Sequence, residues 1–568
     1  MPDTIPRTAV VAALSLLWPD GTRPAQTCTA LDPQCVRDLE LEDTLAALTD
    51  SRLGRSTIRD VFLHLCTDPA VIVYRQDILD DLWRNPDFTA HLEALLPELN
   101  ALDTAPLAVD RQRAALQEIT WRLGELEHLV HCVTGLSTVF TQVGDKVRAA
   151  GWCALRDRIA QTTHDVIYQQ LTRELPDMLR TVRAKVSVTL GVNLDGQLRP
   201  VAATLLSVNE RKFTASTFLD RLFGRRGEEF KSPGPLHMVP DLEHGHGPSG
   251  NRERNRDVNP LMAPLFRDVA QVLDTVCRPI ARTLRQYNAL HSGFLATLHG
   301  DLAFYLAAVR LMARLRSRGL PVCRPDIAPM TERVCTLHEA YNLNLALHQM
   351  AHPHETAPIV TNDVSMGEDG RICILTGPNQ GGKTTYTHMV GLCQLLGQTG
   401  LWVPAAQARL SPVDNIYTHY PVEEHLARGT GRFGDEAQRL SQIFARGTRH
   451  SLVLLNESLA STNPGESLYI AQDIVRILRR LGARAIFATH LHELAADVAA
   501  LNASTAGESR IVSLVASRTE AGDDGPRHSY KIAPGPPLGR SYAREIAAQY
   551  GTSYDQLSAL LQQRGVLE

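Results

Sequence analysis

Apolar positions follow two different rhythms along the 568 residues. In the front half they recur every three to four residues, as Leu116, Ile119, Leu123, Leu126, Val130 and Val133 do, which predicts a helix with one buried face. A longer run of the same period passes from Val269 through Val276, Leu284, Phe294 and Leu302 to Met312. It predicts one continuous rod, about 65 Å long and kinked at Pro279. Between these helices, Lys185 to Val208 alternates apolar and polar residues around Asn193-Leu194-Asp195-Gly196, the pattern of a β-hairpin. Arg221 to Asn259 reads as a loop-rich, exposed segment with Gly-Pro pairs. Its neighbourhood is locally basic, but Glu228 and Glu229 dilute the charge, so a solvated face is the better reading than a phosphate track.

From about residue 357 the rhythm changes. Short β-branched runs alternate with helical stretches, which predicts an α/β layer. Ile372 to Leu375, Leu452 to Leu455 and Ala485 to Ala488 are continuously apolar, as parallel strands covered on both faces are.

Composition narrows the class. With 44% hydrophobic and 21% charged residues, bulk disorder and a disulfide-knit miniprotein are excluded. A net charge of −4 excludes a global basic field, so any nucleic-acid contact must come from a local patch. Ten cysteines without a CxxC pair fit reduced thiols in the cytoplasm. Thr8 to Trp18 is apolar, but Asp3 and a single arginine ahead of it argue against a secretory leader. No stretch of about 18 uncharged apolar residues predicts a membrane span.

The chemistry concentrates at three predicted strand ends. Gly377 to Thr384 reads GPNQGGKT, which fits G-x-x-x-x-G-K-[ST] between a predicted strand and a predicted helix. A chance glycine-rich turn is the alternative, and the strand–loop–helix context argues against it. In a P-loop of this kind backbone N–H groups and a helix N-terminus cradle phosphates. The predicted nucleotide-binding set is Gly377, Pro378, Asn379, Gln380, Gly381, Gly382, Lys383, Thr384 and Thr385. Lys383 would reach the β- and γ-phosphates, and Thr384 would offer its hydroxyl to Mg²⁺.

The second strand ends Leu455-Asn456-Glu457. P-loop ATPases place an acidic pair here, the first for the Mg²⁺ shell and the second for the attacking water. Asn456 keeps an acceptor oxygen at the first position without negative charge, which predicts weaker Mg²⁺ binding and slower hydrolysis. Glu457 is the candidate base. The third strand ends Thr489-His490, and a histidine at that tip can contact a γ-phosphate, although a packed core histidine is the alternative. His348, His352 and His354 have a metal-like spacing but no fourth ligand, so no metal site is assigned to them.

The order of P-loop, carboxylate strand and histidine strand is the plan of an ABC-type ATPase. Within that plan the sequence resembles the MutS family. Ile374 to Tyr386 (ILTGPNQGGKTTY), Leu401 to Ala405 (LWVPA), Ser451 to Glu457 (SLVLLNE) and Phe487 to Leu494 (FATHLHEL) carry the resemblance. His352-Pro353 and Val360 to Asp363 resemble the family's entry into the ATPase domain, and Ser541 to Ala547 its dimerisation segment. Leu53 to Arg55, Tyr74 to Leu79 and Asn85-Pro86 resemble the start of its lever domain.

There are departures. Where the family has a Ser-Thr-Phe signature, this chain has Gly431-Arg432-Phe433, with Thr430 just ahead. Ser461 to Glu466 is closer to the Thr-x-Pro-x-Glu loop of the recombination-suppressing branch. With the lever starting near residue 40 and no Phe-x-Glu wedge ahead of it, the expectation is a divergent or truncated member without the mismatch-recognition domain and without a C-terminal nuclease domain.

The resemblance implies an α/β ABC-type P-loop ATPase domain behind a mostly helical lever domain with a small β-hairpin insertion. The expected boundaries are 1–125 for the first lever part, 126–290 for the helical and hairpin insertion, 291–345 for the return helix and linker, and 346–568 for the ATPase domain. It also implies ATP and Mg²⁺ as cofactors, a homodimer formed through the ATPase domain, and DNA (mismatched, branched or distorted duplex) as partner. Lys383, Glu457 and His490 are the expected catalytic residues, and Thr384 with Asn456 the expected metal pair. The implied activity is slow, DNA-dependent ATP hydrolysis in repair or recombination control. The alternative is a nucleotide-gated clamp or adaptor with little or no hydrolysis.

Overall fold

The computed structural model describes residues 14–21, 27–49, 54–103, 115–184, 187–197, 200–209, 280, 283–284, 287, 293–352, 354, 358–378, 380–421, 432–459, 463–518, 528–537, 551–564 and 566. The chain divides into two compact units, one of residues 1–96, 139–157 and 296–568, the other of 97–138 and 158–295.

In the first unit, β1 (Cys28–Ala30) and β2 (His64–Cys66) make a small antiparallel ladder, followed by helix α1 (Pro69–Arg84). The second unit contains most of α2 (Ala115–Val143), then α3 (Val166–Arg183) and the hairpin of β3 (Ser187–Leu194) and β4 (Pro200–Asn209). Leu126, Val133 and Leu136 of α2 and Leu171, Leu175 and Met178 of α3 are buried. Asp195 turns the hairpin by accepting from the Gln197 N–H at 2.8 Å, as an Asx turn does.

The long rod does not form as expected. A helix, α4, runs from Gly293 to Ser317, which at 1.5 Å per residue is about 38 Å. Upstream, Tyr287 sits in a turn, its N–H donating to the Leu284 carbonyl at 3.1 Å. The Tyr287 carbonyl accepts from the Arg122 guanidinium at 3.1 Å, and its hydroxyl donates to Glu174 at 2.7 Å. Apolar periodicity continues through this turn because the side chains on either side are buried, not because one helix carries them. Pro279 and the loop-rich segment 221–259 lie outside the described residues.

The rest of the first unit holds two larger sheets. β5 (Asp326–Ile327), β6 (Cys335–Ala340), β7 (Asn362–Met366) and β9 (Gln407–Leu410) form one, in the order β5-β9-β6-β7. Two of its strands, β5 and β6, fall within residues 291–345, the stretch read as return helix and linker. The other sheet contains β8 (Ile372–Thr376), β10 (Ile416–His419), β11 (Leu452–Asn456), β12 (Arg484–Ala488), β13 (Ile511–Arg518) and β14 (His528–Pro534). Its order is β10-β11-β12-β8-β13-β14, parallel except for the antiparallel β14 edge. The three apolar runs read from the sequence are thus adjacent strands, and β8, β11 and β12 are buried along their whole length. Helix α5 (Lys383–Thr399) crosses one side and α6 (Arg432–Arg446) follows β10. Helix α7 (Pro464–Leu481) packs Ala471, Val475 and Leu478 on a core with Leu455 and Phe487.

Every residue of α5 from Tyr386 onward is buried, so its polar side chains need internal partners. Gln398 donates to the Cys66 and Val413 carbonyls, each at 2.9 Å, and accepts from the Val413 N–H at 3.0 Å. Arg75 of α1 donates to the carbonyls of Leu17 (3.0 Å) and Thr399 (3.3 Å) and lies over the Trp18 ring. The end of the apolar N-terminal stretch is built into this unit. Ser15 and the Leu16 N–H both donate to Asp301 of α4 at 2.7 Å, and Tyr305 donates to the Leu16 carbonyl. Burial raises the Asp301 carboxyl above its ordinary value. Among the described residues no helix is long and apolar enough to cross a membrane.

Candidate functional site

The site lies at the C-terminal ends of β8, β11 and β12, where open α/β sheets gather ligand-binding loops. After Thr376 the chain turns through Gly377, with φ of 148°, where a Cβ would come within 2.7 Å of Ala516 of β13. Gln380 adopts φ of 62° and the Gly381 N–H closes a turn onto the Pro378 carbonyl at 3.1 Å. A Cβ on Gly381 would stand 3.0 Å from that carbonyl. Only backbone fits inside this loop, and it opens directly into the N-terminus of α5.

Lys383 is 4% exposed, and its Nζ donates to the carbonyls of Gly377 and Pro378, both at 3.1 Å. Burial lowers its pKa, and the nearby Glu457 carboxylate opposes that shift. The Thr384 hydroxyl donates to Asn456 Oδ1 at 3.3 Å. Two residues far apart in the chain, read separately as a metal pair, therefore meet. Thr385 follows at the exposed start of α5, and its carbonyl accepts from Asn342, which also caps the helix Leu343–Ala351. Asn379 lies outside the described residues.

Glu457 is the first residue beyond β11 and turns out of the strand with φ of 49°, its N–H donating to the Ala488 carbonyl of β12 at 2.8 Å. His490 Nε2 donates to Glu457 Oε1 at 2.9 Å. This hydrogen bond, then the charges of His490 and Lys383, hold the Glu457 carboxyl below its usual range against a smaller desolvation effect. Both side chains remain accessible, at 35% for Glu457 and 44% for His490. Of the expected signature loop, Thr430 and Gly431 lie outside the described residues, while Arg432 begins α6 and Phe433 follows it as an exposed side chain. Thr462 is also outside them. Asn463 caps α7 through the Gly465 N–H at 2.9 Å, with Pro464 in the first turn. The segment 541–547 lies outside them as well.

Several neighbours escaped the sequence reading. His419, at the end of β10, meets the Ser458 hydroxyl at 2.7 Å, next to Glu457. Burial first, then Arg439, lowers the His419 pKa to about 4. His388 of α5 stacks on Tyr420 and burial lowers it to about 4 as well. Tyr530 of β14 lies 3.5 Å from where a Cβ on Gly382 would be. Asn342 carried a legible signal, a capping residue ahead of an apolar helical run. Ala516 and His419 carried none, since strand pairing brings them here. Among the described residues no group of three or more histidine, cysteine and carboxylate side chains is placed to hold a metal ion.

The donor set fits a nucleoside triphosphate with its divalent ion: a loop that only backbone can fill, a helix N-terminus, a buried lysine, and a hydroxyl paired with an amide oxygen. Loop, lysine and strand-end carboxylate on a parallel sheet define the class of P-loop nucleotide-binding proteins.

Two family models match the chain: the MutS domain V over residues 373–552 and the MutS2 N-terminal domain over residues 67–318. The chain belongs to the MutS family. It is 26% identical to the DNA mismatch repair protein MutS of Chlorobium phaeobacteroides over 512 residues, 84% of this chain and 55% of that protein. It is 35% identical to the DNA mismatch repair protein MutS of Synechococcus sp. over 233 residues, 40% of this chain and 24% of that protein. It is 35% identical to the DNA mismatch repair protein MutS 2 of Halobacterium salinarum over 193 residues, 34% of this chain and 21% of that protein. The chain thus covers about half, or less, of the length of these relatives.

Proposed function

We propose that this chain is a MutS-type ATPase that couples nucleotide binding in a homodimer to engagement of mismatched, branched or distorted DNA, in repair or recombination control. The reading takes it to act in the cytoplasm. The observation that carries it is the meeting of Lys383, the Thr384–Asn456 pair and the Glu457–His490 pair at three adjacent strand ends.

Bound ATP with Mg²⁺ would supply the phosphoryl group and the divalent charge on its oxygens. The chain's own parts do the rest. The backbone from Gly377 to Gly382, with Thr384 and Thr385, holds the phosphates at the α5 N-terminus. Lys383 exchanges its two carbonyl acceptors for phosphate oxygens. Thr384 and Asn456 hold the ion's shell with one less negative charge than an Asp would give, so turnover is slow. Glu457, held in place by His490, orients a water and accepts its proton.

The name of each similar protein supports the DNA side of the reading, and the family supports the dimer. The helix α8 (Tyr554–Gln563) exposes Tyr554, Leu557 and Leu560 at helical spacing, an apolar stripe suited to a second subunit. We assign residues 1–125 to the N-terminal segment and first part of the lever, 126–290 to the helical and hairpin insertion, 291–345 to the return lever helix and linker, and 346–568 to the ATPase and dimerisation parts. Contacts to phosphates and to DNA shape would make this binding weaken steeply with salt.

Asn456 favours a second reading, a nucleotide-gated clamp with little turnover. ATP turnover with Mg²⁺, measured with and without DNA, separates the two. Turnover that rises with forked or four-way DNA and vanishes in Glu457→Gln supports the ATPase. Tight ATP binding with no turnover supports the clamp. No ATP binding, with Lys383→Ala behaving like the parent, overturns both.

A further inference from the structure

Cys28 and Cys66 face each other across the β1–β2 ladder. The flanking bonds show what kind of pair they make. The Thr67 N–H donates to the Thr27 carbonyl at 2.9 Å, and the Leu31 N–H donates to the Leu63 carbonyl at 2.8 Å. Hydrogen-bonded and non-hydrogen-bonded pairs alternate along an antiparallel ladder. With 27 opposite 67 and 31 opposite 63 bonded, 28 opposite 66 falls at a non-hydrogen-bonded position. Cα atoms there stand about 4.5 Å apart, inside the range of about 4.4–6.8 Å that a disulfide spans.

The two side chains leave the ladder on one face and share a small cluster with Val71, Ile72, Trp18 and Ile327. Among the described strands they are the one pair of cysteines in register. Cys66 is buried and Cys28 only partly so, so a reagent in solution meets Cys28 first. The adjacent Cys28 thiol, and then burial, raise the Cys66 pKa, as expected for two sulfurs in contact.

We propose that Cys28 and Cys66 are a redox modification site, closing reversibly into a cross-strand disulfide when the chain meets a low-molecular-weight disulfide such as oxidised glutathione. The Cys28 sulfur, having lost its proton to water, attacks one reagent sulfur. The reagent S–S bond breaks, and one small thiolate leaves and takes up a proton. Cys66 then loses its proton and attacks the Cys28 sulfur, expelling the second small thiolate, which is protonated in turn. Two protein thiols are oxidised and one reagent disulfide is reduced to two thiols.

The bond would staple a brace. The Cys66 carbonyl holds Gln398 near the C-terminal end of α5, and the Ala30 carbonyl accepts from Asn415 just ahead of β10 at 2.9 Å. It closes residues 28–66 into a loop containing the helices Pro33–Asp38, Leu41–Leu48 and Arg55–Leu63. Lys383 stands at the opposite end of α5, 17 residues long, about 25 Å away along the axis. Oxidation should therefore strengthen the fold without closing the nucleotide site.

The test treats the full chain with millimolar oxidised glutathione, blocks remaining thiols under denaturing conditions, and maps the peptides. Expected are one linked peptide joining Cys28 to Cys66, two fewer free thiols than the ten of the reduced chain, and reversal by dithiothreitol. A rise in melting temperature should accompany the bond and be missing in Cys28→Ser. If both cysteines are recovered with the blocking label, or Cys28 is recovered carrying glutathione beside a blocked Cys66, the proposal fails. The parent's peptide map decides even if the variant folds poorly.

Discussion

His490 Nε2 donates to Glu457 Oε1 across 2.9 Å, joining the ends of two adjacent parallel strands. The bond lowers the Glu457 carboxyl below its usual range and fixes its position where the chain leaves β11 with a left-handed backbone. Removing the carboxylate in Glu457→Gln should cost about 10²–10⁴ in turnover while ATP binding persists. His490→Ala should act more gently, on the order of tenfold or more, since one charge-assisted hydrogen bond contributes about 1.5–3 kcal/mol. Its signature is in the pH profile. His490 lowers the Glu457 pKa, so its loss should move the acid limb of turnover to higher pH. An unshifted limb would mean that Glu457 is not the titrating base.

Asn456 is 4% exposed and faces the Thr384 hydroxyl with a neutral oxygen. Asn456→Asp adds a negative charge where the metal shell is expected. At about 4 Å such a charge is worth a few kcal/mol to a divalent ion, even at the effective dielectric of a protein surface. Half-saturation by Mg²⁺ in the turnover assay should fall on the order of a hundredfold. Without Mg²⁺ and ATP the same buried carboxylate should lower the melting temperature, and their addition should restore it. Equal Mg²⁺ dependence in parent and variant would remove Asn456 from the metal shell.

The glycine-rich turn after β8 was legible in the sequence for a physical reason. Phosphate binding needs backbone to come close, so it forces glycines into a fixed spacing beside Lys383 and Thr384. Likewise, strands covered on both faces must be apolar throughout, and β8, β11 and β12 are. Periodicity reports burial but not chain continuity, so it ran through the Tyr287 turn, which Arg122 and Glu174 hold from distant parts of the chain. Strand β5 was missed because it has two residues, and β6 because Thr336, His338 and Glu339 break its apolar run, unlike the continuously apolar β8, β11 and β12. His419 shows nothing in sequence that tells it from an ordinary strand residue. Only the β10–β11 pairing and the Ser458 contact bring it beside Glu457.

His388 and His419 carry a pH prediction. Burial lowers both to about 4, while in the unfolded chain histidine titrates near 6.5. Between those values the unfolded state binds more protons than the folded one, so stability rises with pH. It should be fully present above about pH 6.5 and be lost progressively as pH falls toward 4, by up to about 3 kcal/mol for each group. Thermal melts from pH 7.5 to 4.5 test this. His388→Gln should flatten the slope if that ring stays neutral in the fold, and an unchanged slope would show that other groups carry the acid sensitivity.

Gly400 and Gly319 separate backbone strain from steric exclusion. Each has a left-handed backbone, with φ of 87° at Gly400, after α5, and 73° at Gly319, after α4. A Cβ at Gly319 would meet nothing within 4 Å, so Gly319→Ala should cost only the left-handed penalty, about 1–2 kcal/mol. A Cβ at Gly400 would fall 2.4 Å from the Arg75 Cβ and 3.3 Å from the Ile72 carbonyl, both on α1. Arg75 cannot simply yield, because its guanidinium is held by the Leu17 and Thr399 carbonyls beneath Trp18. Gly400→Ala must therefore push α1 away from α5 and loosen those bonds, adding an overpacking cost of about 1–3 kcal/mol to the strain. Chemical denaturation should place Gly400→Ala well below Gly319→Ala. Equal losses would mean that α1 shifts freely and that Arg75 does not lock it to α5.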